Sequence, residues 1–269
     1  MFQITILGGY LIAAWILAAR SVGKPENWLT QWVGTAYIVG LAAFLLHSWT
    51  LGQHVFVEGG LNLSVANSGS LIAWLVALIG LGVSIKESLR GLAAWLLAIA
   101  SLGALLTGVG PEDQFLTIDL SWQKQAHISL SITAYSLLTI AAILAILITF
   151  QVRRLRQARP AGWFGILPPL ETMEAILFGT IWVGFGILSL AIFSGLIFVE
   201  NIFAQHLAHK TTLAIIAWII FAILIAGRWQ FGWRGRKAVY LTLGGFALLA
   251  LAYFGSKLVL EVILGRQWG

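Results

Sequence analysis

Eight continuous apolar runs, each about as long as a membrane-spanning helix, constrain this chain more than any other feature. A spanning helix needs about 20 mostly apolar residues. The runs cover residues 2–19, 30–50, 63–85, 91–109, 126–150, 174–199, 211–227 and 238–260. Only 10% of the residues are charged, whereas soluble domains have roughly 25%. The sequence therefore predicts an all-α, polytopic membrane helix bundle with eight transmembrane helices, in which residues 1–269 form a single integral membrane domain.

The basic residues are distributed unequally between the two ends of these predicted helices. Twelve of the 16 Lys and Arg residues fall on one side when the loops alternate, and short loops rich in these residues face the cytoplasm. We therefore expect a multi-pass protein with both termini outward and with the first run retained as a span. Anionic lipid headgroups account for the net charge of +6, so the predicted partner is membrane lipid and not nucleic acid.

All five histidines fall at the predicted outer face, although Lys and Arg alone set the orientation. They are His47, His54, His127, His206 and His209. Neutral imidazole is a common ligand of haem iron, and a ligand at the membrane boundary can meet an amphipathic molecule such as haem. Lys124 and Lys210 are candidate partners for haem propionates, and Trp122 is a candidate aromatic wall. Because the chain has no cysteine, its own thiols cannot attach haem covalently.

The third apolar run begins with a polar, small-residue segment at positions 62–70, which contains Asn67. Its helix N-terminus is predicted to point outward, where exposed N–H groups favour an anion. Asn67 is therefore a further candidate cofactor-binding residue.

Other interpretations of these residues stay open. A lone histidine at a membrane interface is more often a hydrogen-bonding residue than a ligand, and His206 and His209 share a helical face without forming a metal motif. The sequence contains no G-x-S-x-G, H-E-x-x-H or Walker A pattern. No charged residue lies deep in a predicted span, which disfavours an ion-coupled transporter.

Four stretches, taken in order along the chain, resemble the cytochrome c assembly family of inner-membrane proteins. They are Asn62-Leu63-Ser64 with Asn67-x-Gly69-Ser70-Leu71, His127-Ile128-x-Leu130-Ser131 with Ala134-Tyr135, Ser194-Gly195-Leu196-Ile197-Phe198, and Gly232-Trp233-Arg234-Gly235-Arg236-Lys237 with Ala252-Tyr253-Phe254-Gly255-Ser256. The resemblance covers nearly the whole chain and is strongest to the YpjD/HemX branch, which is related to the CcsA subunit of the system II haem lyase.

The resemblance implies haem handling at the outer face of the inner (plasma) membrane. His47 matches the family's histidine within a span, and His127 matches the first histidine that flanks the tryptophan-rich outer segment. Two features depart from the family pattern: residues 200–211 contain no tryptophan, and no histidine follows Tyr253. The predicted iron ligands, and so the predicted metal-binding residues, are His47 and His127.

We therefore predict a haem-binding or haem-handling protein that acts in cytochrome c assembly. Haem is held non-covalently, other cytochrome c biogenesis proteins are expected partners, and the chain is not expected to be an enzyme alone. Two alternatives remain. One is a non-catalytic membrane regulator or scaffold of tetrapyrrole metabolism that has lost haem-lyase function, and the other is a small-molecule transporter.

Overall fold

The computed structural model describes residues 2–22, 32–57, 60–109, 116–117, 121–157, 165–198 and 205–255, and helices dominate these ranges. Each of the eight predicted apolar runs corresponds to one α-helix. The helices are α1 (Phe2–Val22), α2 (Val33–Val55), α3 (Val65–Val83), α4 (Arg90–Ala104), α5 (Trp122–Arg156), α6 (Leu170–Phe198), α7 (Gln205–Phe231) and α8 (Arg236–Ala250). A short 3-10 helix (Glu87–Leu89) precedes α4, and a π-helical turn (Leu251–Gly255) follows α8. The predicted all-α class is confirmed.

Six of these helices, namely α1, α2, α3, α5, α6 and α7, are long and apolar enough to cross a membrane. The helices α4 and α8 contain 15 residues each. At a rise of 1.5 Å per residue, such a helix extends about 22 Å, which is less than the hydrocarbon thickness of about 30 Å. Eight crossings, and the outward direction of the termini, therefore stay predictions.

The helix α5 is longer at both ends than the apolar run that predicted it. The run covers 126–150, whereas the helix extends over Trp122–Arg156. Three arginines occupy its last turn. Arginine is a good helix former, and its charge is favourable at a helix C-terminus, so the helix continues past the point where hydropathy falls.

Three two-residue strands occur in the described ranges: β1 (Phe56–Val57), β2 (Gly60–Leu61) and β3 (Leu116–Thr117). The strands β1 and β2 pair antiparallel, with Phe56 opposite Leu61 and Val57 opposite Gly60. This small hairpin links α2 to α3. The Ser64 side chain then caps α3 by accepting a hydrogen bond from the Asn67 backbone N–H at 3.2 Å.

The chain divides into two compact units. The first, called here the α1–α4 unit, comprises residues 1–115 and 151–169, and the second, called the α5–α8 unit, comprises residues 116–150 and 170–269. Each unit is described by itself. The assignment of residues 1–269 to a single integral membrane domain stays a prediction.

Small residues bring the helices of the α1–α4 unit close together. Here α1 packs against α2 and α4, and α3 packs against the same two helices. A Cβ added at Gly9 would lie 2.7 Å from the Cβ of Ala43, and one added at Gly103 would collide with Ala73. These glycines therefore permit the close helix contacts that are common in membrane bundles.

The two ends of the α1–α4 unit differ in chemistry. At one end, the Glu87 carboxylate accepts hydrogen bonds from Arg20 and Arg90, each at 3.1 Å. At the other end, the Gln3 amide donates to the Thr107 carbonyl at 3.1 Å. The helices thus alternate in direction, so that the charged turns gather at one end and the histidine-bearing end of α2 lies at the other.

The α5–α8 unit has a basic turn between α7 and α8. The Trp233 N–H donates to the Gly227 carbonyl at 3.2 Å, and the Gly232 N–H donates to the Arg228 carbonyl at 3.1 Å. With Gly232 at a φ of 62°, the bond from Gly232 to Arg228 is the αL pattern that ends a helix on glycine. The Glu174 carboxylate accepts from the Gly235 N–H at 3.0 Å, which ties the start of α6 to the start of α8.

Candidate functional site

His47 lies inside the α1–α4 unit, with a side chain that is 0% exposed. Its Nδ1 atom is 3.3 Å from the Tyr10 hydroxyl of α1, and its Nε2 atom is 2.9 Å from the Ser70 hydroxyl of α3. The Ser70 hydroxyl is in turn 2.6 Å from the Thr107 hydroxyl, just beyond α4. One imidazole therefore joins α1, α2, α3 and the turn after α4 through hydroxyl groups.

The direction of this hydrogen-bond chain follows from its last member. The Thr107 hydroxyl donates to the Ala104 carbonyl at 3.0 Å, so its oxygen accepts from Ser70. The Ser70 oxygen then accepts from the imidazole, which places the proton of neutral His47 on Nε2. The Nδ1 lone pair then accepts a hydrogen bond that the Tyr10 hydroxyl donates.

This arrangement uses both ring nitrogens of His47. In the described conformation the ring does not fit an iron ligand, because the Nε2 atom carries a proton and the Nδ1 atom accepts one from Tyr10. Ligation would require the Tyr10 or Ser70 side chain to move away from the ring, with a buried polar group left unpaired. The assignment of His47 as an iron ligand stays a prediction.

The side-chain amide of Asn67 also has hydrogen-bond partners at both its nitrogen and its oxygen, all within the α1–α4 unit. Its side chain is 2% exposed, and its amide nitrogen donates to the His54 and Asn62 carbonyls, each at 3.2 Å. Its amide oxygen accepts from the Gly108 N–H at 3.1 Å. Asn67 thus ties the ends of α2 and α4 to the start of α3, and its role in cofactor binding stays a prediction.

His54 lies at the same end of this unit, in the last turn of α2. Its Nδ1 atom donates to the Thr50 carbonyl at 2.7 Å. The ring packs directly on Gly108, whose φ of 72° and lack of a side chain leave room for it. His54 is therefore held by the turn that Asn67 stabilises.

His127 has a different environment, in the α5–α8 unit. Its Nδ1 atom is 3.0 Å from both the Ala191 carbonyl and the Ser194 hydroxyl of α6. A carbonyl only accepts, and the Ser194 hydroxyl itself donates to the same carbonyl at 2.9 Å, so Nδ1 must be the donor. In the neutral ring the Nε2 atom then carries a lone pair.

The helix α6 makes room for this imidazole at Gly195. A Cβ added there would lie 2.9 Å from the His127 Cε1 atom. Glycine at this position thus allows the ring to lie against α6 and reach Ala191. The sequence contained a signal for this contact, since Ser194 and Gly195 lie in one of the stretches that carry the family resemblance.

A cation and two tyrosines lie together in the same unit. The Lys210 ammonium of α7 lies 5.1 Å from the ring centroid of Tyr253. The Tyr253 ring is 5.4 Å from that of Tyr135 on α5. The helices α5 and α7 and the turn after α8 thus meet at these tyrosines.

Trp122 begins α5 and is 71% exposed. It precedes His127 by five residues, which places the two side chains about 140° apart around the helix axis. Trp122 and His127 therefore do not share a face of α5, and the assignment of Trp122 as an aromatic wall stays a prediction.

The two environments differ in their capacity to hold a metal. A metal-binding histidine commonly donates its other ring N–H to a carbonyl, which orients the ring and fixes its tautomer. His127 meets that description and His47 does not. Within the described ranges, no group of three or more His, Asp or Glu side chains could hold a metal ion, and the side chains of His206 and His209 lie outside the described residues.

The histidine partners are the part of the site that the sequence did not predict. Tyr10, Ser70 and Thr107 are common residues in apolar helices, and the Ala191 carbonyl has no side-chain signature. Their distances along the chain from the histidines give no indication of contact, because the packing of separate helices creates these hydrogen bonds.

Three relatives show how the similarity to known proteins is distributed along the chain. The chain is 30% identical to the inner membrane protein YpjD of Escherichia coli strain K12 over 270 residues, which covers 98% of this chain and 99% of that protein. It is 26% identical to the cytochrome c biogenesis protein CcsA of Chlamydomonas reinhardtii, over 50% of this chain and 38% of the relative. It is 31% identical to CcsA of Microcystis aeruginosa, over 36% of this chain and 30% of that relative.

No solved structure is significantly similar to the chain. The family model described as cytochrome C assembly protein matches residues 35–264, which include both His47 and His127. The protein therefore belongs to the cytochrome c assembly family.

Proposed function

We propose that this protein binds or handles haem during cytochrome c assembly in the inner membrane, and that His127 supplies an iron ligand through Nε2. The observation that carries the proposal is the hydrogen bond from Nδ1 to the Ala191 carbonyl, because it leaves Nε2 as the unprotonated nitrogen of the neutral ring. When bound, haem would supply an iron that an imidazole nitrogen can ligate. The chain's own contribution is to orient that ring through Ala191, Ser194 and Gly195.

The proposed topology has eight spans with both termini outward. Each unit supports it separately. The α1–α4 unit has Arg20 and Arg90 at the end opposite to Gln3. In the α5–α8 unit, the basic turn before α8 lies at the start of α6, whereas His127 contacts α6 near its end. The positive-inside rule places the basic ends in the cytoplasm. The 3-10 helix before α4 and the π-helical turn after α8 extend the two shorter helices toward spanning length.

The test is the visible spectrum of detergent-purified protein from haem-replete cells. We expect wild-type protein to show a Soret band, and H127A to lose most of it. H54A is the matched control: His54 also donates Nδ1 to a carbonyl, but its Nε2 atom lies directly against Gly108, which leaves no room for an iron there. It is expected to retain haem, and so is H47A, although with lower stability.

Two results would contradict this proposal. The first is wild-type protein that never contains haem, in any preparation. The second is a Soret band of unchanged position and intensity in H127A, since the His127 ring would then have no part in holding the iron.

A second candidate is a non-catalytic regulator or scaffold in tetrapyrrole metabolism. The coverage of the relatives favours it: similarity extends over the whole of YpjD but over only 38% and 30% of two CcsA proteins. The absence of tryptophan from residues 200–211 points the same way. On either candidate, the chain acts with other cytochrome c biogenesis proteins or a pathway enzyme and not as an enzyme alone.

Crosslinking separates the two candidates. A scaffold is expected to crosslink to a tetrapyrrole-pathway enzyme from residues 151–173, which include the connection between α5 and α6, while containing no haem. A haem-loaded protein with no such crosslink would support the first candidate instead.

A further inference from the structure

The turn between α7 and α8 concentrates positive charge at one end of the α5–α8 unit. Four cations lie between positions 228 and 237, namely Arg228, Arg234, Arg236 and Lys237, and the Glu174 carboxylate adds one negative charge beside them. The last three of these cations are exposed, and none of them forms an ion pair within the described part of the chain. The turn therefore presents a net positive charge to its surroundings.

The placement of two of these cations is unfavourable for the helix that carries them. Arg236 and Lys237 are the first two residues of α8, which begins at Gly235 without a side-chain cap. The N-terminus of a helix is the positive end of its dipole, so a cation there destabilises the helix and an anion stabilises it. The local charge of α8 is thus balanced by an anion that the chain itself does not provide at this position.

The backbone of the turn is held firmly by the helices on either side of it. The Trp233 ring folds back onto α7, where a Cβ added at Gly227 would collide with it, and the Lys237 ammonium lies 5.4 Å from the centroid of that ring. The Arg228 guanidinium lies 4.6 Å from the Phe178 ring of α6 and donates to the Trp233 carbonyl at 3.3 Å. The exposed cations are therefore presented from a preorganised turn, which lowers the entropic cost of binding.

Aromatic side chains place the same turn at a membrane surface. The apolar segment Lys210–Phe231 of α7 is long enough to cross a membrane, and the turn follows its last residue. Trp229, Phe231 and Tyr240 are 84%, 71% and 64% exposed, and tryptophan and tyrosine favour the depth of the lipid headgroups. A lipid provides a phosphate for the cations and apolar chains for these rings, whereas a free phosphate ion would leave the rings in contact with water.

We propose that the α7–α8 turn is a binding site for an anionic phospholipid, whose phosphate is contacted by Arg234, Arg236 and Lys237. In the proposed topology this lipid belongs to the cytoplasmic leaflet, which carries the anionic surface. The site is independent of haem, because the turn lies at the start of α6 and His127 contacts α6 near its end.

Titration of detergent-purified protein with two lipids, followed by native mass spectrometry, measures this selectivity. The lipids are phosphatidylglycerol and phosphatidylcholine with the same acyl chains, and both contain a phosphate, but the choline cation cancels its charge. We expect wild-type protein to bind one phosphatidylglycerol about tenfold more tightly than phosphatidylcholine. This preference is expected to decrease as the salt concentration rises, because the exposed charges are then screened.

The variants compare this turn with another basic segment of the same chain. R234Q/R236Q is expected to weaken phosphatidylglycerol binding about tenfold and to leave phosphatidylcholine binding unchanged. R153Q/R156Q is the matched control, since it removes two exposed arginines from the last turn of α5, and it is expected to change neither affinity. R234K/R236K keeps both charges and is expected to retain most of the affinity for phosphatidylglycerol.

Four results would overturn the proposal. The first is equal binding of both lipids by the wild-type protein, and the second is a wild-type preference that does not depend on salt. The third is an equal loss of phosphatidylglycerol binding in R153Q/R156Q, since overall charge and not this turn would then determine the affinity. The fourth is displacement of the bound lipid by inorganic phosphate at the same concentration, which would show an anion site that does not recognise lipid.

Discussion

His47 and His127 are both predicted iron ligands in apolar helices, yet their surroundings assign them opposite tautomers. His47 donates from Nε2 into a chain of hydroxyls and accepts at Nδ1, whereas His127 donates from Nδ1 to a carbonyl. Both ring nitrogens of His47 have hydrogen-bond partners. The ring of His127 is oriented by the hydrogen bond at Nδ1. The comparison teaches that burial and depth in a span do not identify a ligand. The better indicator is whether the unprotonated nitrogen already accepts a hydrogen bond, as Nδ1 of His47 does from Tyr10.

The largest expected effect on haem affinity comes from filling the space that α6 leaves for His127. A valine at Gly195 would meet the imidazole, since even a Cβ would lie 2.9 Å from Cε1. We expect G195V to displace the ring from Ala191 and weaken haem binding about 10- to 100-fold. Haem titration of the purified protein measures this effect. The control is G186V in the same helix, where an added Cβ meets no atom within 4 Å. Equal haem affinity in the two variants would contradict the role assigned to Gly195.

The next prediction tests whether His47 stabilises the fold without binding iron. Removal of its ring in H47A leaves the Tyr10 and Ser70 hydroxyls without their buried partner and opens a cavity. We expect a loss of about 2–4 kcal/mol in the free energy of unfolding, with the Soret band preserved. Denaturant unfolding in detergent together with the absorbance spectrum provides both readouts. A variant of normal stability that has lost its haem would show that His47 is the ligand and not a structural residue.

The smallest effect concerns the first hydrogen bond of the chain. Y10F removes the donor to His47 Nδ1 but keeps the aromatic ring, which lies edge-on to the imidazole at 5.9 Å. We expect a loss of about 1 kcal/mol in the free energy of unfolding and no change in haem affinity. Y37F is a suitable comparison, because Tyr37 donates to the Ser84 carbonyl at the opposite end of the unit. A gain of haem in Y10F would indicate that the freed Nδ1 binds iron.

The apolar runs were sufficient to predict the helices, because each helix must satisfy its own backbone hydrogen bonds in lipid. They did not predict where α5 ends, since arginines at 153, 154 and 156 continue a helix that hydropathy stops at 150. They also overestimated the length of α4: the run covers 91–109, whereas the helix has 15 residues. A turn follows the helix, and Gly108 in that turn has a φ of 72°.

The candidate histidines could be selected from the sequence, but their roles could not. The role of His127 depends on the Ala191 backbone carbonyl 64 residues away, and that of His47 depends on hydroxyls from three other helical segments. Asn67 is a similar case, because its three hydrogen bonds reach Asn62, His54 and Gly108. Such contacts arise from helix packing, and no local pattern of residue types predicts them.

Chemical rescue of a histidine-to-glycine variant tests the central claim most directly. We expect H127G purified from haem-replete cells to lack the Soret band of the wild type, and added imidazole together with haem to restore a spectrum like that of the wild type. In H47G, imidazole is expected to change the spectrum little. The opposite pattern, with rescue at position 47 and an unchanged spectrum in H127G, would contradict the assignment of His127 as the iron ligand.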